Sequence, residues 1–140
     1  MPSKPRSHLA APKPLDEKVS VNLGYVDLGQ IDLLVRDGFY GNRTDFIRTA
    51  IRNLLARHAD AVQQSVSRQM LVLGIHHFSA ADLQAVRDAG QTLQIRVLGL
   101  ATIGSEVEPA LALAAIESVV VLGALHASPA VRAALAGRIR

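Results

Sequence analysis

Residues 17–32 read "EKVSVNLGYVDLGQID". Lys18, Ser20 and Asn22 alternate with Val19, Val21 and Leu23, the period of a half-buried strand. A helical pattern follows almost at once. Asp27 with Gln30 three residues on reads as a capping box, and Leu28, Ile31, Leu34 and Val35 recur at helical spacing. Gly38 is the expected stop, because glycine takes the left-handed conformation that ends helices. The spacing predicts a short helix over about 28–37 and leaves no room for a hairpin return. A lone strand has unpaired backbone groups and is not stable, so this one needs a distant mate. If the mate is the same strand of a second molecule, the two form an antiparallel ribbon about a two-fold axis. Val19, Val21 and Leu23 would then pack on helices, and Lys18, Ser20 and Asn22 would stand outward from both copies.

A two-stranded ribbon fits the DNA major groove, and the outward side chains suit base edges: lysine for guanine acceptors, asparagine for adenine, serine for either. The next break, "GFYGNRTDF" at 38–46, offers Asn42 as an N-cap with Asp45 at the positive end of the following helix. Phe46, Ile47, Ala50, Ile51, Leu54 and Leu55 make an apolar stripe, so a second helix is expected over about 43–66. Arg48 and Arg52 lie one turn apart on another face. Charge supports the same half. Residues 1–68 hold 10 Lys and Arg against 7 Asp and Glu, whereas residues 69–140 hold 5 of each. The whole excess of +3 therefore lies in the N-terminal half, as expected of a surface meeting an anionic partner.

The segment "KVSVNLGYVDLGQIDLLVRDGFYGNRTDFIRTAIRNLLARH", about residues 17–58, resembles the ribbon-helix-helix (CopG-like) DNA-binding domain. The resemblance rests on the alternating strand, the short helix, the Gly-containing turn and "GNRTDFIRTAIRNLL". Thr44 stands where the family pattern has Ser, and Asp45 where it has Glu. The resemblance implies base contact by Lys18, Ser20 and Asn22, and phosphate contact at the start of the second helix around Asn42, Arg43 and Thr44. Free N–H groups at a helix N-terminus favour an anion on physical grounds as well. Residues 69–140 lie outside this resemblance and are unlike the ligand domain of the nickel-responsive repressors.

The C-terminal half carries a repeat. "VLG" occurs at 72–74, 97–99 and 121–123. "VLGLATIGSEVEPALALA" at 97–114 aligns with "VLGALHASPAVRAALAGR" at 121–138. Each unit reads as an apolar strand ending near glycine, then a short helix. Ser79 with Asp82 marks one helix start. Ser128 followed by Pro129 marks another, since a proline at the first helical position loses no hydrogen bond. Pro109 marks the true first turn of the middle helix. Nearly continuous apolar runs suggest parallel strands covered on both faces, or at least heavily buried. Three such units predict a small right-handed α/β layer.

The expected organisation is a disordered basic arm over 1–15, a ribbon-helix-helix domain for DNA binding and dimerisation over 16–68, and a strand–helix repeat domain for oligomerisation or regulation over 69–140. Four of the six prolines fall in the arm, where Lys4, Arg6 and Lys13 would add salt-sensitive affinity. The chain has no cysteine, which removes disulfides, thiolate metal sites and a cysteine nucleophile. Neither a signal peptide nor a membrane span is expected. His77 and His126 occupy equivalent repeat positions with Thr102 between them, roughly 10 Å apart across two strand spacings, too far for one metal ion. Ser79 and Asp82 are accounted for as a cap, not as part of a catalytic triad. The expectation is a non-enzymatic, cytoplasmic, nucleoid-associated regulator, a repressor without cofactor. Its partners are double-stranded DNA and a second copy, with higher assembly through residues 69–140. An antitoxin or a DNA-partition scaffold are the competing readings; an antitoxin's toxin-binding tail is usually short, polar and unfolded until bound.

Overall fold

A computed structural model describes residues 15–140. The arm expected over 1–15 lies almost wholly outside them. The order is α1 (Tyr25–Arg36), α2 (Arg43–Arg57), α3 (Ala59–Gln69), β1 (Val72–Phe78), α4 (Ala80–Asp88), β2 (Leu93–Ile103), α5 (Pro109–Ala115), β3 (Ile116–His126) and α6 (Pro129–Leu135). The chain divides into two compact units, with the boundary inside α2 at Ala50/Ile51.

In the first unit, residues 17–24 form neither helix nor strand, so the strand expected at 17–23 is not formed within one chain, and no described segment pairs with them. Helix α1 begins three residues earlier than expected. Gly24 is its N-cap and no side chain caps it. The Asp27–Gln30 capping box does not form. Gly24 is extended, with φ −65° and ψ 154°, and its carbonyl already accepts from the Leu28 N–H at 3.0 Å. Asp27 therefore falls inside the first turn, where its charge still complements the helix dipole. The stop at Gly38 is as expected. With φ at +85°, Gly38 donates to the Val35 carbonyl and Phe39 to that of Leu34, the paired bonds of a Schellman end.

The single helix expected over 43–66 is two helices. The turn at His58, with φ −99° and ψ 9°, separates α2 from α3. Val62 and Val66 of α3 line an apolar groove with Leu71, Leu98 and Leu122, whereas no residue of α2 is buried.

The second unit contains a three-stranded parallel sheet in the order β1-β2-β3. The repeat sets the register. Val72, Val97 and Val121 align, as do Leu73, Leu98 and Leu122, then Gly74, Gly99 and Gly123. The three glycines have φ of +127°, +137° and +118°. A β-carbon on Gly99 would strike the Gly74 carbonyl, and one on Gly123 would strike that of Gly99. Only glycine fits this column.

Alternate strand residues, among them Ile95, Val97, Ala101, Ile103 and Val119, are buried in one core with Leu83, Leu111, Val131 and Leu135 of the helices. Each of the larger side chains contributes about 1.5–3 kcal/mol by leaving water. The helix starts are as the sequence predicts. Ser79 and Asp82 form a reciprocal capping box, Ser128 caps α6, and Pro109 and Pro129 open their helices. The expectation of strands covered on both faces, or at least heavily buried, holds fully for one face only. There α4, α5 and α6 pack together on one shared core, whereas on the other face, where Leu98 and Leu122 line the groove with α3, Leu73, Ile75 and Leu122 stand exposed.

Candidate nucleic-acid interface

Lys18, Ser20 and Asn22 are all exposed on the segment before α1. Val19, Val21 and Leu23, expected to pack on helices in the paired ribbon, are exposed in the single chain, Val19 at 78% and Val21 at 71%. Nothing among the described residues lies alongside to bury them. The same holds for the helices that follow. Ile31 is the one buried residue of α1, and α2 has none. Leu33, Phe39, Ile51, Leu54 and Leu55 are exposed. Ile31 is thus the one buried residue among the described residues of the first unit, and exposed apolar sets of this kind are found where a partner completes the fold.

The start of α2 is built by its own residues. The Asn42 side chain accepts from the Asp45 N–H at 2.8 Å, and Asp45 Oδ2 accepts from the Gly41 N–H at 2.9 Å. Tyr40 and Phe46 meet edge to face at 5.0 Å, bracing the turn. Among the described residues no group accepts from the Arg43 and Thr44 amides. Two donors at the positive end of a fifteen-residue helix are thus open to an anion.

Arg43 has a partner that sequence reading did not supply. Its Nε and Nη2 donate to the two Asp32 oxygens, each at 2.8 Å. This forked pair joins α1 to α2 across the turn. The hydrogen bonds from Arg43 hold the Asp32 carboxyl below its ordinary range and raise the guanidinium further. Both side chains remain about half exposed, so the pair orients Arg43 without burying it. The spacing of eleven residues between Asp32 and Arg43 has no periodic signal. Only the turn geometry brings them together.

The remaining titratable groups support the fold of the second unit. His77, Thr102 and His126 do share one row of the sheet, but no group of three or more His, Asp or Glu side chains among the described residues is placed to hold a metal ion. Asp82 is held below the usual carboxylate range mainly by the Ser79 backbone amide, then by the Ser79 hydroxyl. Glu106 is likewise lowered by its own backbone amide and by that of Ala80, which it caps at 3.1 Å. No described helix is long and apolar enough to cross a membrane.

A family model described as the ribbon-helix-helix transcriptional regulator family matches residues 14–132. The match runs well past residue 58, where the sequence resemblance stops, and takes in the sheet through most of α6. No curated protein and no solved structure matches the chain. The chain thus belongs to the ribbon-helix-helix transcriptional regulators, a family of DNA-binding proteins.

Proposed function

We propose that the protein is a sequence-specific repressor that acts as a dimer. Two copies of residues 17–23 pair as an antiparallel ribbon, and Lys18, Ser20 and Asn22 of each enter the major groove. The Arg43 and Thr44 amides, with the Asn42 and Arg43 side chains, hold a backbone phosphate on either side and fix the ribbon's depth. Residues 16–68 serve binding and dimerisation, and residues 69–140 serve association or regulation. Bound at paired half-sites, the dimer occludes promoter DNA.

The observation that carries this reading is the exposure pattern of residues 17–57. Alternate polar groups and a large apolar set lie open together, as a half-structure awaiting its two-fold mate would leave them. The packed core of the second unit favours a regulator over an antitoxin, because toxin-binding tails fold only when bound.

Genome-wide footprinting of the wild type beside Lys18→Ala/Asn22→Ala tests the proposal. Loss of site-specific peaks with dimerisation intact is the expected result. Unchanged peaks would remove these residues as the reading face.

A further inference from the structure

The two edges of the sheet are treated differently by the chain. On the β3 side, the Val119 N–H donates to the Arg138 carbonyl and the Arg140 N–H to the Val119 carbonyl, each at 2.9 Å. Ile139 forms a parallel bridge with Val119. The Arg132 guanidinium covers the Leu125 carbonyl. This edge is guarded by its own tail and helix.

Among the described residues the β1 edge has no such cover. The Gly74 carbonyl lies against Gly99, and that of Phe78 accepts from the Gly104 N–H at 2.9 Å, so both face β2. By alternation along a strand, Leu73, Ile75 and His77 turn their N–H and C=O groups to the free edge. No described group pairs with them. Their surroundings are apolar as well: Leu73 is 67% exposed and Ile75 62%. Val72–Phe78 carries no Asp, Glu, Lys or Arg, and no proline. An edge strand of this kind lacks the devices that block pairing with another chain.

We infer that β1 is a homotypic association surface, pairing antiparallel with β1 of a second copy about a two-fold axis. Four features select this occupant. Backbone rows are satisfied only by another strand. The guarded β3 edge disfavours head-to-tail growth, leaving the isologous solution that closes. A strand without Asp, Glu, Lys or Arg places no fixed charge against its own copy and offers none to a charged foreign partner. The outer apolar row Leu73–Leu98–Leu122 would continue into its two-fold equivalent, so that apolar pairs face each other across the join. A six-stranded sheet results. The inference stands on the second unit alone and does not require the N-terminal ribbon. If the ribbon joins a different pair of copies, the two contacts together link dimers into larger assemblies.

Residue-resolved amide exchange of the full chain, with disulfide formation by single cysteines, tests it. The expected result is that the Leu73, Ile75 and His77 amides are protected about a hundredfold or more, close to those of β2. Cysteines placed singly at 72–78 in this cysteine-free chain should give a linked dimer that peaks sharply at one position and falls two residues away. Ile75→Lys, or Ile75→Pro at an edge-facing N–H where proline is tolerated, should abolish both signals while β2 stays protected. Edge amides that exchange as freely as unpaired ones would overturn the inference. So would protection without a link at any of the seven positions, which would mean that a segment of the same chain covers the edge. Exchange at residues 18–23 reports separately on the ribbon, so failure of one contact is not mistaken for failure of the other.

Discussion

The carbonyl of Gly74 occupies the space where a β-carbon on Gly99 would stand. The Gly99 carbonyl bears the same relation to Gly123. These contacts bind three repeat units into one register. They are backbone contacts, and no side-chain rotation relieves them.

Gly99→Ala therefore combines a backbone collision with φ at +137°, and should destabilise the second unit by roughly 3 kcal/mol or more. Gly90→Ala is the control. It also has positive φ, at +68°, but meets nothing within 4 Å, so its cost should be about 1–2 kcal/mol. Urea unfolding followed by far-UV circular dichroism separates the two. Equal costs would show that the glycine column does not constrain the sheet.

The exposed Leu33, Phe39 and Ile47 of the first unit lead to the prediction that this unit is stable only as a dimer. Its unfolding midpoint should then depend on concentration, losing about 1.4 kcal/mol of apparent stability for each tenfold dilution. The second unit has its own core and should hold its local stability better. Exchange of the Ile31 and Ile47 amides across a dilution series measures this. A midpoint independent of concentration would require a core within the single chain.

The Asp32–Arg43 pair gives the phosphate contact a specific test. Asp32→Asn weakens the fork that holds Arg43 and frees the guanidinium for DNA, so affinity should rise. Arg43→Ala should lower affinity about uniformly across sequences and reduce the salt slope by about one unit. Fluorescence anisotropy over a salt series reads both. A fall in affinity with Asp32→Asn would assign the pair to holding the turn in shape.

Acid should act on the second unit through Asp82 and Glu106. Both carboxyls titrate lower in the folded chain than in the unfolded one. Their stabilisation is thus complete above the unfolded value, near about pH 4, and is lost as pH falls below it through the folded values. Denaturant midpoints should drop on acidification in the wild type and drop less in Asp82→Asn/Glu106→Gln. An identical drop would place the acid sensitivity elsewhere.

Much of this molecule is legible from local chemistry. The VLG spacing gives the register, and Ser79, Pro109 and Ser128 mark helix starts, because caps and prolines act within four residues. Asn42 and Gly38 succeed for the same reason. The failures are of two kinds. The start of α1 at Tyr25 follows from Gly24 acting as its N-cap and the break falls at His58; neither Gly24 nor His58 makes a side-chain cap that the sequence would signal. The Asp32–Arg43 fork and the open outer face around Ile75 depend on the arrangement of whole elements. Lys18, Ser20 and Asn22 are picked out by strand period alone; they are exposed, but so are Val19 and Val21 between them, so exposure does not separate the two faces within one chain.

Photo-crosslinking from Asn22 tests the central claim most directly. The full chain carries a photoreactive side chain in place of Asn22, and a second preparation carries it in place of Thr44. After irradiation on a footprinted site, the linked nucleotides are mapped. The account predicts that the Asn22 probe links to bases, at two positions related by the two-fold of the site, while the Thr44 probe links to the flanking backbone. Links from Asn22 to sugar and phosphate alone, or at one unpaired position, would contradict it.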